Sequence, residues 1–262
     1  MFDIISKLNR SYMLSLASEN RRVDGRSWNE YRKILIDAGC IKKAEGSARV
    51  MLGNTQVLVG IKMDVGEPYP DSPDMGVITT SAELVPLASP TFEPGPPDEN
   101  SIELARVVDR GIRESEAIDL EALCIEEGEK VWIVFIDIHV LDMYGNLIDA
   151  SSLAAISALL NTEIPKYEDG KVIHEEKDGK LPVREKPITI TTAKIGDMFV
   201  VDPTYEEELA MDARLSVAVK EDETICAMQK GESGFMSEED IMRIIDLSIE
   251  KSKELRRYIP GD

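Results

Sequence analysis

Cysteine, histidine, positive charge and long apolar runs are all scarce in this chain, and each shortage removes a class of protein. There are three cysteines, Cys40, Cys124 and Cys226, far apart and without CxxC spacing. An odd, scattered set supports neither a disulfide framework nor a zinc ribbon. His139 and His174 are the only histidines, so no metal constellation is expected, and no cofactor. No apolar run approaches the ~20 residues needed to span a bilayer. Asp3, Lys7 and Arg10 interrupt the N-terminal stretch where a signal peptide would lie, so the expected location is the cytoplasm. Lys and Arg number 30 against 50 Asp and Glu, a net charge of −20. An acidic body repels nucleic acid at long range, so any such contact must be local or shared with a more basic partner. What remains is ample for folding: 262 residues, 43% apolar, enough for one large or two modest domains.

The most informative stretch is ELVPLASPTFEPGPPDENSIELARVVDRGIRES, residues 83–115. Pro86, Pro90, Pro94, Pro96 and Pro97 remove backbone donors and fix φ, so the first half reads as an irregular loop. A helix follows, with Ser101 the expected N-cap and Glu103 in its first turn. Arg106, Arg110 and Arg113 fall four and three apart, which at about 100° per residue makes one stripe. Leu104, Val107, Val108 and Gly111 lie opposite. Two readings fit that stripe. One is a solvated face held by the pairs Glu103–Arg106, Asp109–Arg113 and Arg110–Glu114. The other is a ridge for a polyanion, because the guanidinium fork binds phosphate oxygens bidentately.

Elsewhere the pattern predicts an amphipathic helix over 2–18, with Ile5, Leu8, Tyr12 and Leu16 on one face, ending in the charged turn RRVDGR. Strands are expected at 31–37, 47–52 and 56–63, the last two forming a hairpin at Gly53-Asn54-Thr55. Residues 131–141 alternate strongly and read as a strand. A turn at 143–146 leads to an Ala- and Ser-rich helix over 150–160, stopped by Pro165. Residues 166–186 read as a linker hairpin with a turn at Asp178-Gly179. Then come a hairpin of 188–194 and 198–201, a short acidic helix over 205–211, and strands at 215–219 and 224–228. Ser237 and Asp240 form a capping-box start for a helix over 238–257. VMLGNTQVLV and TAKIGDMFVV align loosely, which hints at a duplicated β/α unit.

The segment 83–115 resembles the RNase PH family, and within it the non-catalytic ring subunits of archaeal exosomes. The resemblance continues through RRVDGRSWNEYR (21–32), GSARVMLGNTQVLVGI (46–61) and PYPDSPDMGVI (68–78) to the C-terminal helix. It implies an α/β (α+β) RNase PH-like fold of duplicated β/α units, with mixed sheets and packed helices. The implied division is an N-terminal helix and RxDGR turn (1–30), a first domain (31–165), the linker hairpin (166–186) and a second domain (187–262). The implied function is that of a non-catalytic exosome subunit. It pairs with the catalytic RNase PH-like subunit, three heterodimers to a ring, in 3′-to-5′ phosphorolytic RNA degradation, with RNA-binding cap subunits on one face. Two alternatives stand beside it: an active phosphate-dependent 3′-to-5′ exoribonuclease, and an RNA-independent scaffold.

Active members of the family, as the resemblance implies, carry a phosphate loop of the form DGGTR or DGGSR at a helix N-terminus. The matching residues here are Asp149, Ala150, Ser151, Ser152 and Leu153. Ser152 keeps the hydroxyl, but Leu153 stands at the arginine position. Asp149 or Ser151 is read as a plain N-cap. The catalytic aspartate of an ADMPVA-like motif is matched by Arg214, and a second acidic position by Glu208. Arg214 would repel a divalent ion; it either binds an RNA phosphate or pairs with Glu208 or Asp212. An arginine pair before the helix is replaced by Asn100 and Ser101, while IELARVVDR is kept. Arg106 and Arg110 are therefore the carried-over RNA contacts. Arg113 either joins them or anchors a subunit interface. No catalytic residue and no metal ligand is assigned.

Overall fold

The computed structural model describes residues 10–16, 19 and 21–259. A helix at 10–16 (α1) precedes the first sheet. That sheet contains β1 (Ile34–Ala38), β2 (Gly46–Leu52), β3 (Thr55–Gly66), β4 (Val77–Leu84), β5 (Cys124–Glu126) and β6 (Lys130–Asp142), in the order β1-β2-β3-β6-β4 with β5 also on β6. The β1-β2-β3-β6 pairings are antiparallel; β4 runs parallel to β6. The helix α2 (Glu99–Glu114) lies between β4 and β5 in sequence, and α3 (Leu147–Leu160) follows β6. A hairpin of β7 (Glu163–Glu168) and β8 (Lys171–Lys180) leads to the second sheet. Its strands are β9 (Ile188–Ile195), β10 (Met198–Val201), β11 (Ala213–Val219) and β12 (Ile225–Gly231), antiparallel in the order β10-β9-β11-β12. The helix α4 (Tyr205–Ala210) joins β10 to β11, and α5 (Glu238–Leu255) packs on β9 and β11. This is a mixed α/β architecture of two sheets and packed helices.

The centre of the molecule is α3. It packs on β2 and β3 of one sheet and on β9 of the other. Residues 148–159 are all buried, as an all-round apolar and small-residue composition requires of a helix pressed from both sides. Gly46 sets the spacing: a Cβ there would lie 2.1 Å from Thr162 Oγ1 and 2.5 Å from the Ala158 carbonyl. The strand β6 buries Val134, Ile136, Ile138 and Val140 on its core face. The hairpins β2–β3 and β9–β10 share a device. Each turns through two residues, and the first is a glycine at positive φ, Gly53 at 58° and Gly196 at 60°, as tight hairpins demand.

Several expectations shift. The N-cap of α2 is Asp98, whose carboxylate accepts from Ser101 N at 2.8 Å, so Ser101 sits one turn inside. The helix α3 starts three residues earlier than expected, capped by Asn146 at φ 56°. Asp149 and Ser151 are therefore inside the helix and neither is its N-cap. The helix ends at Asn161, whose amide bonds the Ser47 backbone; Pro165 falls in β7, where the register is irregular. The β7–β8 turn is at Asp169-Gly170, and Asp178-Gly179 lies within β8. The first strand begins at Ile34, because Tyr31 turns inward to Asp149. In α1, Met13 and Leu16 are buried while Tyr12 is 56% exposed; Ile5 and Leu8 lie outside the described residues. The strand β4 has no counterpart in the sequence reading, and Glu83 and Leu84, read as loop, are its last residues.

Candidate functional site

The start of α3, the helix α4, the start of β11 and the first turns of α2 converge on a cleft of about 320 Å³. Its polar lining includes Asn100, Glu103, Asn146, Glu208, Arg214 and Glu232. Arg214 is the second residue of β11 and opposes Gly231 across the strand pair. Its Nη2 donates to Glu103 Oε2 of α2 at 2.6 Å, and Nη1 lies 3.9 Å from Glu232 Oε1. The expected partners of Arg214, Glu208 and Asp212, are not the ones it takes. Asp212 instead meets Arg10, at 2.6 Å.

Glu208 projects from α4, and its Oε1 accepts from the Asn146 backbone N–H at 2.8 Å. Burial pushes its carboxyl up to about 7 despite the attraction of Arg214 and Arg32. Three acidic side chains, one of them, Glu208, about half protonated at neutral pH, and one guanidinium thus face the cleft.

The residues matching the phosphate loop point away from phosphate binding. Leu153 is 1% exposed and belongs to the main core. Ser151 and Ser152 are buried in the helix body. Asp149 is buried as well: Tyr31 Oη, Asn146 Nδ2 and Thr191 N all donate to its Oδ2, at 2.7, 2.9 and 3.1 Å. Burial lifts its carboxyl to about 6. Asn146 Nδ2 also donates to Asp202 Oδ1 at 2.9 Å. Asp202 receives Arg26 at 2.8 Å and Arg32 at 2.7 Å. Beside it, Arg22 forms a bidentate pair with Glu207, at 2.9 and 2.7 Å. Within RRVDGR, Arg22 is buried and Arg26 half-buried, and these two side chains tie an otherwise exposed turn to α4 and to Asp202. The charged turn expected at RRVDGR is present, but the long-range partners of its arginines are not visible in the sequence. Its signal was the density of arginines before a Gly turn, with acids waiting far along the chain.

On α2 the structure places Arg106, Arg110 and Arg113 together on the exposed face, opposite the buried Leu104, Val107, Val108 and Gly111. Their environments differ. Arg113 is bound bidentately by Asp109, both bonds 3.0 Å, and donates to the Ile78 carbonyl at 3.1 Å. Arg110 donates to the neutral Gln229 Oε1 of β12 at 3.3 Å. Arg106 has no hydrogen-bond or ion-pair partner among the described residues. Of the expected helix pairs only Asp109–Arg113 forms.

Comparison with known proteins gives concordant results. Domain 1 of the 3′ exoribonuclease family (RNase PH) matches residues 30–165, and domain 2 matches residues 186–251. The protein named exosome complex component Rrp42 of Methanothermobacter thermautotrophicus is 53% identical over 260 residues, covering 98% of this chain and 96% of that one. Its namesake in Thermococcus gammatolerans is 55% identical over 261 residues, with the same coverage. Among solved structures, a chain of the Archaeoglobus fulgidus exosome with RNA bound to the active site superposes with a TM-score of 0.92 at 54% identity. It covers 98% of this chain and 100% of that one.

Proposed function

This chain belongs to the RNase PH family of 3′ exoribonucleases, and from that membership we propose that it serves an archaeal exosome as a ring subunit without catalysis of its own. It pairs with a catalytic RNase PH-like subunit, three heterodimers to a ring. It completes that partner's cleft and lends Arg106 and Arg110 to single-stranded RNA. Cap subunits with RNA-binding domains dock on the ring.

The observation that carries this reading is the Arg214–Glu103 ion pair in the cleft. A cation bonded at 2.6 Å to one acid and flanked by another leaves no free carboxylate at its own position to assist a leaving oxygen or hold a divalent ion. A positioned general acid or base typically contributes about 10²–10⁴-fold. Leu153 adds to it, since an apolar side chain in the core supplies no charge to a phosphate.

The test is phosphate-dependent release of nucleoside diphosphates from single-stranded RNA. The pure chain is expected to release none above background, and the chain mixed with its catalytic partner to release them steadily. Release by the pure chain at a rate near that of the mixture would make it an active exoribonuclease instead.

A further inference from the structure

The exposed arginines of α2 carry unequal free charge. Arg113 is compensated by Asp109, and Arg110 rests on an uncharged amide. Arg106 stands open although Glu103 lies three residues before it, the spacing at which acid–base pairs form on a helix. Glu103 is engaged elsewhere, because its Oε2 accepts from Arg214 Nη2 at 2.6 Å.

We propose that Arg214 is a positioning residue for RNA binding: by holding Glu103 in the cleft, it keeps Arg106 uncompensated and available to a phosphate. This rests on the RNA-binding reading of α2 and deepens it. It gives a role to a residue at the position where catalytic chemistry is lost.

The surroundings of Arg214 favour the arrangement. Gly231 opposite leaves room for the guanidinium; a Cβ there would come within 2.7 Å of Arg214 Nε and 2.8 Å of its Cζ. Glu232, 3.9 Å away, backs the cation from another side. The Arg214 side chain is 17% exposed and that of Glu103 35%, so their pair is better shielded from water and salt than one between Glu103 and the exposed Arg106. Glu103 therefore stays with Arg214.

The experiment is equilibrium binding of a single-stranded oligonucleotide to the ring assembled from this chain and its catalytic partner, at several salt concentrations. Arg214→Ala is expected to release Glu103 to Arg106 and flatten the log–log salt slope by a part of the ~0.7 that one phosphate contact carries, with about a twofold loss of affinity, the competition an exposed pair at this spacing exerts. Arg214→Met, which keeps the aliphatic stem beside Gly231, is expected to give the same values, so a packing defect peculiar to alanine is not mistaken for the effect. Glu103→Gln should leave the slope at least as steep as in the original ring. Arg214→Ala combined with Glu103→Gln should restore it. A direct contact between Arg214 and phosphate gives flattening that persists in the combined variant; that result, or an unchanged slope in both Arg214 variants, overturns the inference. Arg106→Ala separates this inference from the reading beneath it. A slope unmoved by Arg106→Ala removes both, whereas flattening by Arg106→Ala and none by the Arg214 variants removes this inference alone.

Discussion

Asp149 is a carboxyl in the middle of the molecule, and its protonation is tied to folding. Burial lifts it from 3.8 to about 6. Between those values the folded protein holds a proton that the unfolded chain has lost. The stability it contributes is therefore full below about pH 4 and is lost as pH rises through 6, about 3 kcal/mol for a shift of this size. Asp149→Asn keeps an acceptor for the three donors and cannot ionise. Its unfolding free energy in urea should fall less than that of the original chain between pH 4 and 6, with Glu208 supplying a further decline up to about 7. Equal slopes for the two chains across that window would show that Asp149 titrates at its ordinary value. Arg22 poses a different residue-scale problem. It is 3% exposed and pairs bidentately with Glu207. Arg22→Ala leaves a buried carboxylate with no cation, only the Thr204 backbone N–H, and should cost about 3–5 kcal/mol. Removing both charges while keeping an acceptor for Thr204 N, Arg22→Met with Glu207→Gln, should cost less in the same urea titration. That Leu153 and Arg214 stand where the resemblance aligns the phosphate loop and the catalytic aspartate is legible in the sequence, because it is read directly from a motif. The sequence did not show their partners. Glu103 is 111 positions from Arg214, and only the register of β11 and the placement of α2 bring them together, whereas Glu208 and Asp212 were the acids nearest in sequence.

Elements with strong periodicity were legible, and elements defined by what packs on them were not. The long alternation of β6 and the glycine turns of the two tight hairpins were plain in the sequence, as was the capping box of Ser237 and Asp240, whose bonds both form. The strand β4 was missed because Thr79, Thr80 and Ser81 dilute its apolar alternation. It gains its place from parallel pairing with β6 and from the cover of α2, neither of which a local window contains. The start of α3 was missed for a related reason. Asn146 reads as the last residue of the 143–146 turn; it enters the helix through the left-handed region, which Asn tolerates better than most residues, and its side chain bonds Asp149 and Asp202 and makes no cap bond. The spacing of α3 against β2 makes a clear test. Gly46→Ala places a methyl 2.1 Å from Thr162 Oγ1 and 2.5 Å from a helix carbonyl, so the helix must shift. A loss of about 1–3 kcal/mol is expected from overpacking, read as a lower urea midpoint. A midpoint equal to that of the original chain would mean that the two elements part freely. The exposed face of α2 should behave in the opposite way. Arg106→Ala with Arg110→Ala leaves the packing of Leu104, Val107 and Val108 intact, so stability should change by no more than ~1 kcal/mol. RNA binding by the assembled ring should weaken, with a slope lower by about 1.4, two contacts at 0.7 each. An unchanged slope would leave the exposed face of α2 as a merely solvated one and the chain as a scaffold.

At the scale of the whole molecule, charge and function pull against each other. A net charge of −20 repels the polyanion that α2 is proposed to bind, and two or three exposed arginines do not reverse that field at long range. The chain resolves the conflict if its arginines act only where a more basic partner supplies the surrounding potential. Its surface agrees with a life in contact. Leu87 is 86% exposed and Phe235 80%, large apolar groups that an assembled interface would cover, and obligate interfaces run to ~2,000 Å² or more. Two outcomes are expected together. Mixed with the catalytic subunit proposed as its partner, the chain should form a particle of hexamer size by light scattering. Compared at the same salt, the isolated chain should bind a single-stranded oligonucleotide at least ~10-fold more weakly than that particle does, with α2 unchanged in both, because the partner and not the helix sets the sign of the field. An isolated chain that binds RNA as tightly as the ring would show that the arginine face overcomes the acidic body unaided. Separate monomers at micromolar concentration would show that the exposed apolar groups have some other use.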